Sequence, residues 1–234
     1  MNLALFFLLN LAVLTLAAWL SRGRRFTLFL ALLAFGLGVG MVNSLIEAVA
    51  FAVMTPDQAI GAIGGSIVIF ALLAAAAVLL SGKAFRGESE TLRPQVTAGR
   101  LALVVIAYEL LYFGAGMLVY PYIADFYATR RLPPVGLLAG LAAFRALLFV
   151  AWTWPLLRLA PRHAPWLVGL GFAIIAGIAP LLPDNPYMPA DVRFYHAIET
   201  GISNFLFGWI LAWLLQPRLD RPQRGELRAS TGSA

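Results

Sequence analysis

Five ionisable side chains stand inside otherwise apolar stretches of this chain: Glu47, Glu109, Arg145, His196 and Glu199. Charge in a hydrocarbon setting is costly, so such groups face a bundle interior or a hydrated cavity and pair with one another. Arg145 stays protonated and therefore needs a carboxylate or several carbonyls. Judged by depth along the helices, Glu109 is its nearest partner and Glu47 the alternative. The pair would be a structural tie that fixes helix register, or a clamp for an anion or a headgroup. One arginine cannot neutralise three glutamates. Those left over must be protonated, hydrated or bound to a cation, and a protonated one could hand on its proton in catalysis or transport.

The stretch "RFYHAIETGISNFLFGW" carries His196 and Glu199 at i, i+3, on one helix face. Helical bundles hold metals with this spacing. With Glu47 and Glu109 it would give a one-histidine, three-glutamate set for zinc, iron or manganese. The simpler reading, an interfacial histidine bonded to Glu199, is favoured. Other chemistries fall away. A retinal Schiff base needs a bundle lysine, and the one lysine is Lys83 in a polar loop. Paired histidine ligands would be His163 and His196, expected on opposite sides. Ser203 lies seven residues from His196, roughly 10 Å along one axis, too far for a triad contact. No cysteine is present, which excludes disulfides and thiol chemistry.

The elements that must position these groups are membrane helices. Hydrophobic residues make up 61% of the 234 and charged ones 12%, against about 25% charged in soluble domains. Apolar runs of roughly 20 residues each read as seven spans, at about 3–20, 27–54, 59–80, 101–121, 136–157, 165–182 and 195–215. The fold expected is an all-α integral membrane protein: one seven-helix bundle over 1–216, then a polar, disordered tail over 217–234. Thirteen of the seventeen Lys and Arg residues fall on the side of Arg22 and Arg24, three on the other, and Arg145 is within a span. Positive residues collect on the cytoplasmic side, so the N-terminus is expected outside and the C-terminus in the cytoplasm, in a bacterial-type inner membrane. The net charge of +6 then sets orientation and implies no nucleic-acid partner. Spans 1–3 and 5–7 could form parallel repeats, but their polar residues do not recur at matching places.

Helical spacing groups the polar residues into stripes. Gly36, Gly40, Asn43 and Glu47 share a face of span 2. Glu109, Tyr112, Gly116 and Tyr120 do so on span 4, and His196, Glu199, Ser203 and Phe207 on span 7. Mixed small and polar stripes mark helix–helix interfaces. Gly61 and Gly65 in span 3 repeat the spacing of Gly36 and Gly40, so spans 2 and 3 should pack closely there. Glu47 comes out roughly 10 Å below the outer surface, with Asn43 a turn deeper. Asn10 also falls in the outer half, whereas the inner half is almost free of polar side chains.

These stripes suggest one polar pocket in the outer half of the bilayer, lined by Asn43, Glu47, Glu109, Tyr112, Arg145, His196, Glu199 and Asn204. The favoured expectation is a binding or accessory membrane subunit holding a lipid, quinone or other amphipathic small molecule. The alternatives are a proton-coupled or lipid-accessed transporter using Glu47 or Glu109, and an intramembrane enzyme with a glutamate base or a metal. A membrane-protein partner or a second copy of the chain fits either class. The sequence names no cofactor.

Overall fold

The computed structural model describes residues 2–51, 54–82, 93–128, 132–159, 163–184 and 188–216. The expected tail, 217–234, lies outside them. Seven helices are long and apolar enough to cross a membrane: α1 (Asn2–Leu20), α2 (Arg25–Ala50), α3 (Pro56–Leu80), α4 (Ala98–Ala128), α5 (Val135–Leu157), α6 (Ala164–Leu181) and α7 (Ala190–Leu215). Their flanks leave large apolar side chains such as Leu72, Leu110, Met117 and Leu118 exposed. A continuous surface of that kind suits lipid and not water.

Local sequence explains the helix ends. Thr55 and Gln58 form a capping box at the start of α3: Gln58 N–H donates to Thr55 Oγ1 and Thr55 N–H to Gln58 Oε1. Pro56 follows in the first turn, where its missing N–H costs nothing. At the far end of α7, Arg100 Nη1 donates to Leu214 O at 2.8 Å, and Gln95 N–H to Leu215 O at 2.9 Å. These bonds satisfy carbonyls that have no partner inside the helix.

Helix α2 lies among α1, α3, α5 and α6, while α4 packs mainly on α5 and α7. Two helices depart from the α repeat. Gly38–Val42 in α2 and Phe172–Ile178 in α6 are π-helical, and the two segments touch. The close approach depends on glycine. A Cβ on Gly38 would lie 2.1 Å from Trp152 Cγ, and one on Gly40 2.7 Å from Ile175 Cγ2.

A layer of phenylalanines crosses the bundle about 12–15 Å from its Leu20 end, counting the helical rise. Phe35, Phe70, Phe149, Phe172 and Phe207 are all fully buried. Phe149 and Phe172 have ring centroids 4.9 Å apart, and Phe149 and Phe207 5.6 Å. Tyr108 of α4 completes the layer, 4.7 Å from Phe207.

Two expectations change. Span 4 does not stop at Pro121 but continues as helix to Ala128. A proline removes one hydrogen bond, which a helix this long can absorb. Gly61 and Gly65 have nothing within 4 Å of a built Cβ and do not make the α2–α3 interface. That contact is made by Gly36, where a Cβ would meet Phe70 Cδ1 at 2.5 Å.

Candidate functional site

The polar side chains gather in two clusters along one stripe of α4. The first joins α2, α4 and α5. Arg145 Nη1 lies 2.9 Å from Glu47 Oε2, and Tyr112 O–H donates to Glu47 Oε1 at 2.8 Å. The guanidinium sits 5.7 Å from the Tyr108 ring centre, 5.8 Å from Tyr112 and 6.0 Å from Phe149. Three aromatic faces thus share the cation, each such contact contributing about 0.5–2 kcal/mol when desolvated. The Arg145 side chain is 8% exposed and that of Glu47 31%, so the pair is open on its carboxylate side.

The pair does not use all of its hydrogen-bonding capacity. Arg145 Nη1 meets Glu47 Oε2 at 2.9 Å as an ion pair, while its Nε has no acceptor among the described residues. Asn43, one turn along α2 from Glu47, is 1% exposed, and both its Nδ2 and Oδ1 lack partners among the described residues. Trp152 Nε1 and Thr153 Oγ1, further toward the Leu20 end, are buried and unpartnered too. Asn10 is half satisfied: its Nδ2 donates to Phe6 O at 2.8 Å, while its Oδ1 lacks a partner among the described residues.

The second cluster joins α4 and α7. His196 Nδ1 is 2.7 Å from Glu199 Oε2, and Tyr127 Oη is 3.0 Å from His196 Nε2. With Glu199 ionised and the imidazole neutral, Nδ1 carries the proton and donates to Glu199, and Nε2 accepts from Tyr127. Thr200 Oγ1 donates to His196 O and Ser203 Oγ to Glu199 O, so the other hydroxyls of this face bond their own helix. A Cβ on Gly116 would lie 3.6 Å from Glu199 Oε1, which places this carboxylate against α4 one turn from Tyr112. Arg193 pairs with Asp184 at 2.7 Å and also donates to Pro183 O, tying the start of α7 to the segment before it.

The expected lining therefore divides. Glu47, Tyr112 and Arg145 meet, with Asn43 beside them on α2. His196 and Glu199 pair with each other. Glu109, half-buried, sits by the backbone of Ala143 on α5 and is not Arg145's partner; that partner is Glu47. Asn204, also half-buried, belongs to neither cluster. Among the described residues no three His, Asp or Glu side chains converge, so Glu47, Glu109, His196 and Glu199 do not make one donor set. Sequence reasoning missed Tyr127, Tyr108 and Phe149. Tyr127 was legible only to a reader who carried the α4 helix past Pro121.

No family model matches the chain, and no curated protein or solved structure matches it significantly.

Proposed function

We propose that this chain is a multi-pass membrane protein that holds the polar head of a lipid-like or other amphipathic small molecule beside Asn43, Glu47, Tyr112 and Arg145. It would act as a binding or accessory membrane subunit. Its N-terminus lies outside and its C-terminus in the cytoplasm of a bacterial-type plasma membrane, following the one-sided arginines. The cluster then falls in the outer half of the bilayer.

The observation that carries this reading is the unspent polarity at Asn43 and Arg145. A buried polar group without a partner costs about 1–3 kcal/mol, and Asn43 has two such atoms. A bound headgroup would satisfy them. The aromatic layer below favours binding over passage, since transport needs a route to both faces around a midplane site. A ligand with an apolar tail needs none, because it can enter from the lipid past the partly open Glu47.

Native mass spectrometry of the detergent-purified chain tests this. The wild type should retain an organic mass of several hundred daltons. Asn43→Leu should lose it, and Asn204→Leu should keep it. A bare wild-type chain, or retention unchanged in Asn43→Leu, would overturn the reading.

A further inference from the structure

The charge and hydrogen-bond inventory of the cluster restricts what kind of head it can take. Arg145 is already neutralised by Glu47 at 2.9 Å. Among the described residues the cluster shows no second arginine or lysine, and the carboxylate nearest along α4, Glu109, is acidic. A phosphate or carboxylate entering here would put net negative charge into a low-dielectric site with nothing to balance it. An ammonium head could take Glu47 only by leaving Arg145 a buried, unpaired cation.

The unpartnered atoms are also unequal in kind. Among the described residues of the cluster, the buried donors without acceptors are Asn43 Nδ2, with two N–H groups, and Arg145 Nε. Among the described residues of the cluster, the one buried acceptor without a donor is Asn43 Oδ1. A complementary head must accept more hydrogen bonds than it donates. Carbonyl oxygens do this without charge. The Tyr108, Tyr112 and Phe149 rings around the guanidinium offer flat apolar walls to such a group.

Resting on the amphiphile-binding reading above, we infer that the ligand is uncharged and that its head is rich in carbonyl acceptors, with Arg145 Nε–H and the Asn43 amide as the donors that receive it. An isoprenoid-type quinone and a glyceride ester both present that chemistry. The Glu47–Arg145 pair then serves to hold the donors in place and to exclude anionic lipids, and is not itself a phosphate clamp.

The test is a binding titration on delipidated full-length protein in neutral detergent. Three probes are used: decylubiquinone, dioctanoylglycerol and dioctanoyl phosphatidic acid. At least one neutral probe should bind ten-fold or more tightly than the phosphatidic acid, and which one does so tells quinone from glyceride. Asn43→Leu should weaken that binding ten-fold or more. Arg145→Lys keeps the charge opposite Glu47 but removes the Nε donor, and it should also weaken it. Asn204→Leu should leave it unchanged. Tighter binding of phosphatidic acid would overturn the neutral-head inference and leave the amphiphile reading standing. Absence of binding by all three probes would overturn both.

Discussion

Replacing Asn43 with leucine should make the ligand-free protein more stable while removing its ligand. The side chain is 1% exposed, and neither its Nδ2 nor its Oδ1 has a partner among the described residues. Leucine is close in shape and leaves nothing unsatisfied. An unsatisfied buried group costs about 1–3 kcal/mol. Polar groups in the membrane-unfolded state find partners of their own, which keeps the net gain toward the lower part of that range. At about 1–1.5 kcal/mol, and about 2–4 °C per kcal/mol for a chain of this size, Tm should rise by about 2–6 °C. The assay is thermal unfolding of delipidated wild type and variant in one detergent, read by intrinsic tryptophan fluorescence. Asn10→Leu is the comparison: its Nδ2 already bonds Phe6 O and only its Oδ1 lacks a partner among the described residues, so its gain should be smaller. Added ligand should raise the wild-type midpoint by mass action and leave that of Asn43→Leu unmoved. A clear fall in Tm for ligand-free Asn43→Leu would refute the reasoning, since it would mean that the amide is satisfied within the protein.

Four further outcomes are expected. Glu47→Leu leaves a buried cation unpaired and should cost about 3–5 kcal/mol, whereas Arg145→Met leaves a carboxylate that is partly open and protonatable and should cost less. The double variant should recover part of the Glu47→Leu loss; strictly additive losses in a thermal double-mutant cycle would contradict the pairing. Gly38→Ala should destabilise by about 1–3 kcal/mol by forcing Trp152 aside, while Gly61→Ala, facing open space, should leave Tm within about 1–2 °C of wild type. Tyr127→Phe should cost about 1 kcal/mol through its lost bond to His196, and Gly116→Ala should be tolerated at its 3.6 Å approach to Glu199. The chain has no cysteine, so single cysteines at Thr55 and Ser81 can report orientation: an impermeant maleimide added to intact cells should label Thr55→Cys and spare Ser81→Cys.

Much of the fold was open to sequence reading because a helix able to cross a bilayer needs a set length and apolarity. Seven runs of the right length correspond to seven helices. What misled was local. Pro121 reads as a stop, yet α4 runs through it and brings Tyr127 to His196. The π segment at Gly38–Val42 leaves no mark in an apolar periodicity, although its glycines set how closely Trp152 and α6 approach. In the site, i, i+4 spacing correctly joined Asn43 to Glu47 on one face of α2. Depth alone chose Glu109 for Arg145, because rise along the axis carries no information about rotation around it. Glu109 turns toward the Ala143 backbone, and Glu47, from a helix packed directly on α5, meets the guanidinium. The single pocket expected from the stripes of spans 2, 4 and 7 became two clusters because one stripe of α4 meets different helices at different depths: Tyr112 reaches α2, while Gly116 one turn on, and Tyr127 about three turns beyond it, face α7.

The central claim is that a ligand head completes the hydrogen bonding of Asn43 and Arg145. The most direct measurement is an experimental map of the protein purified in mild detergent with its native lipids, at a resolution that shows side-chain amides. The account predicts non-protein density within hydrogen-bond distance of the Asn43 amide and Arg145 Nε, continuing as a tail toward the lipid past Glu47. Asn43 and Arg145 both bonded to protein atoms, with no such density between them, would contradict it.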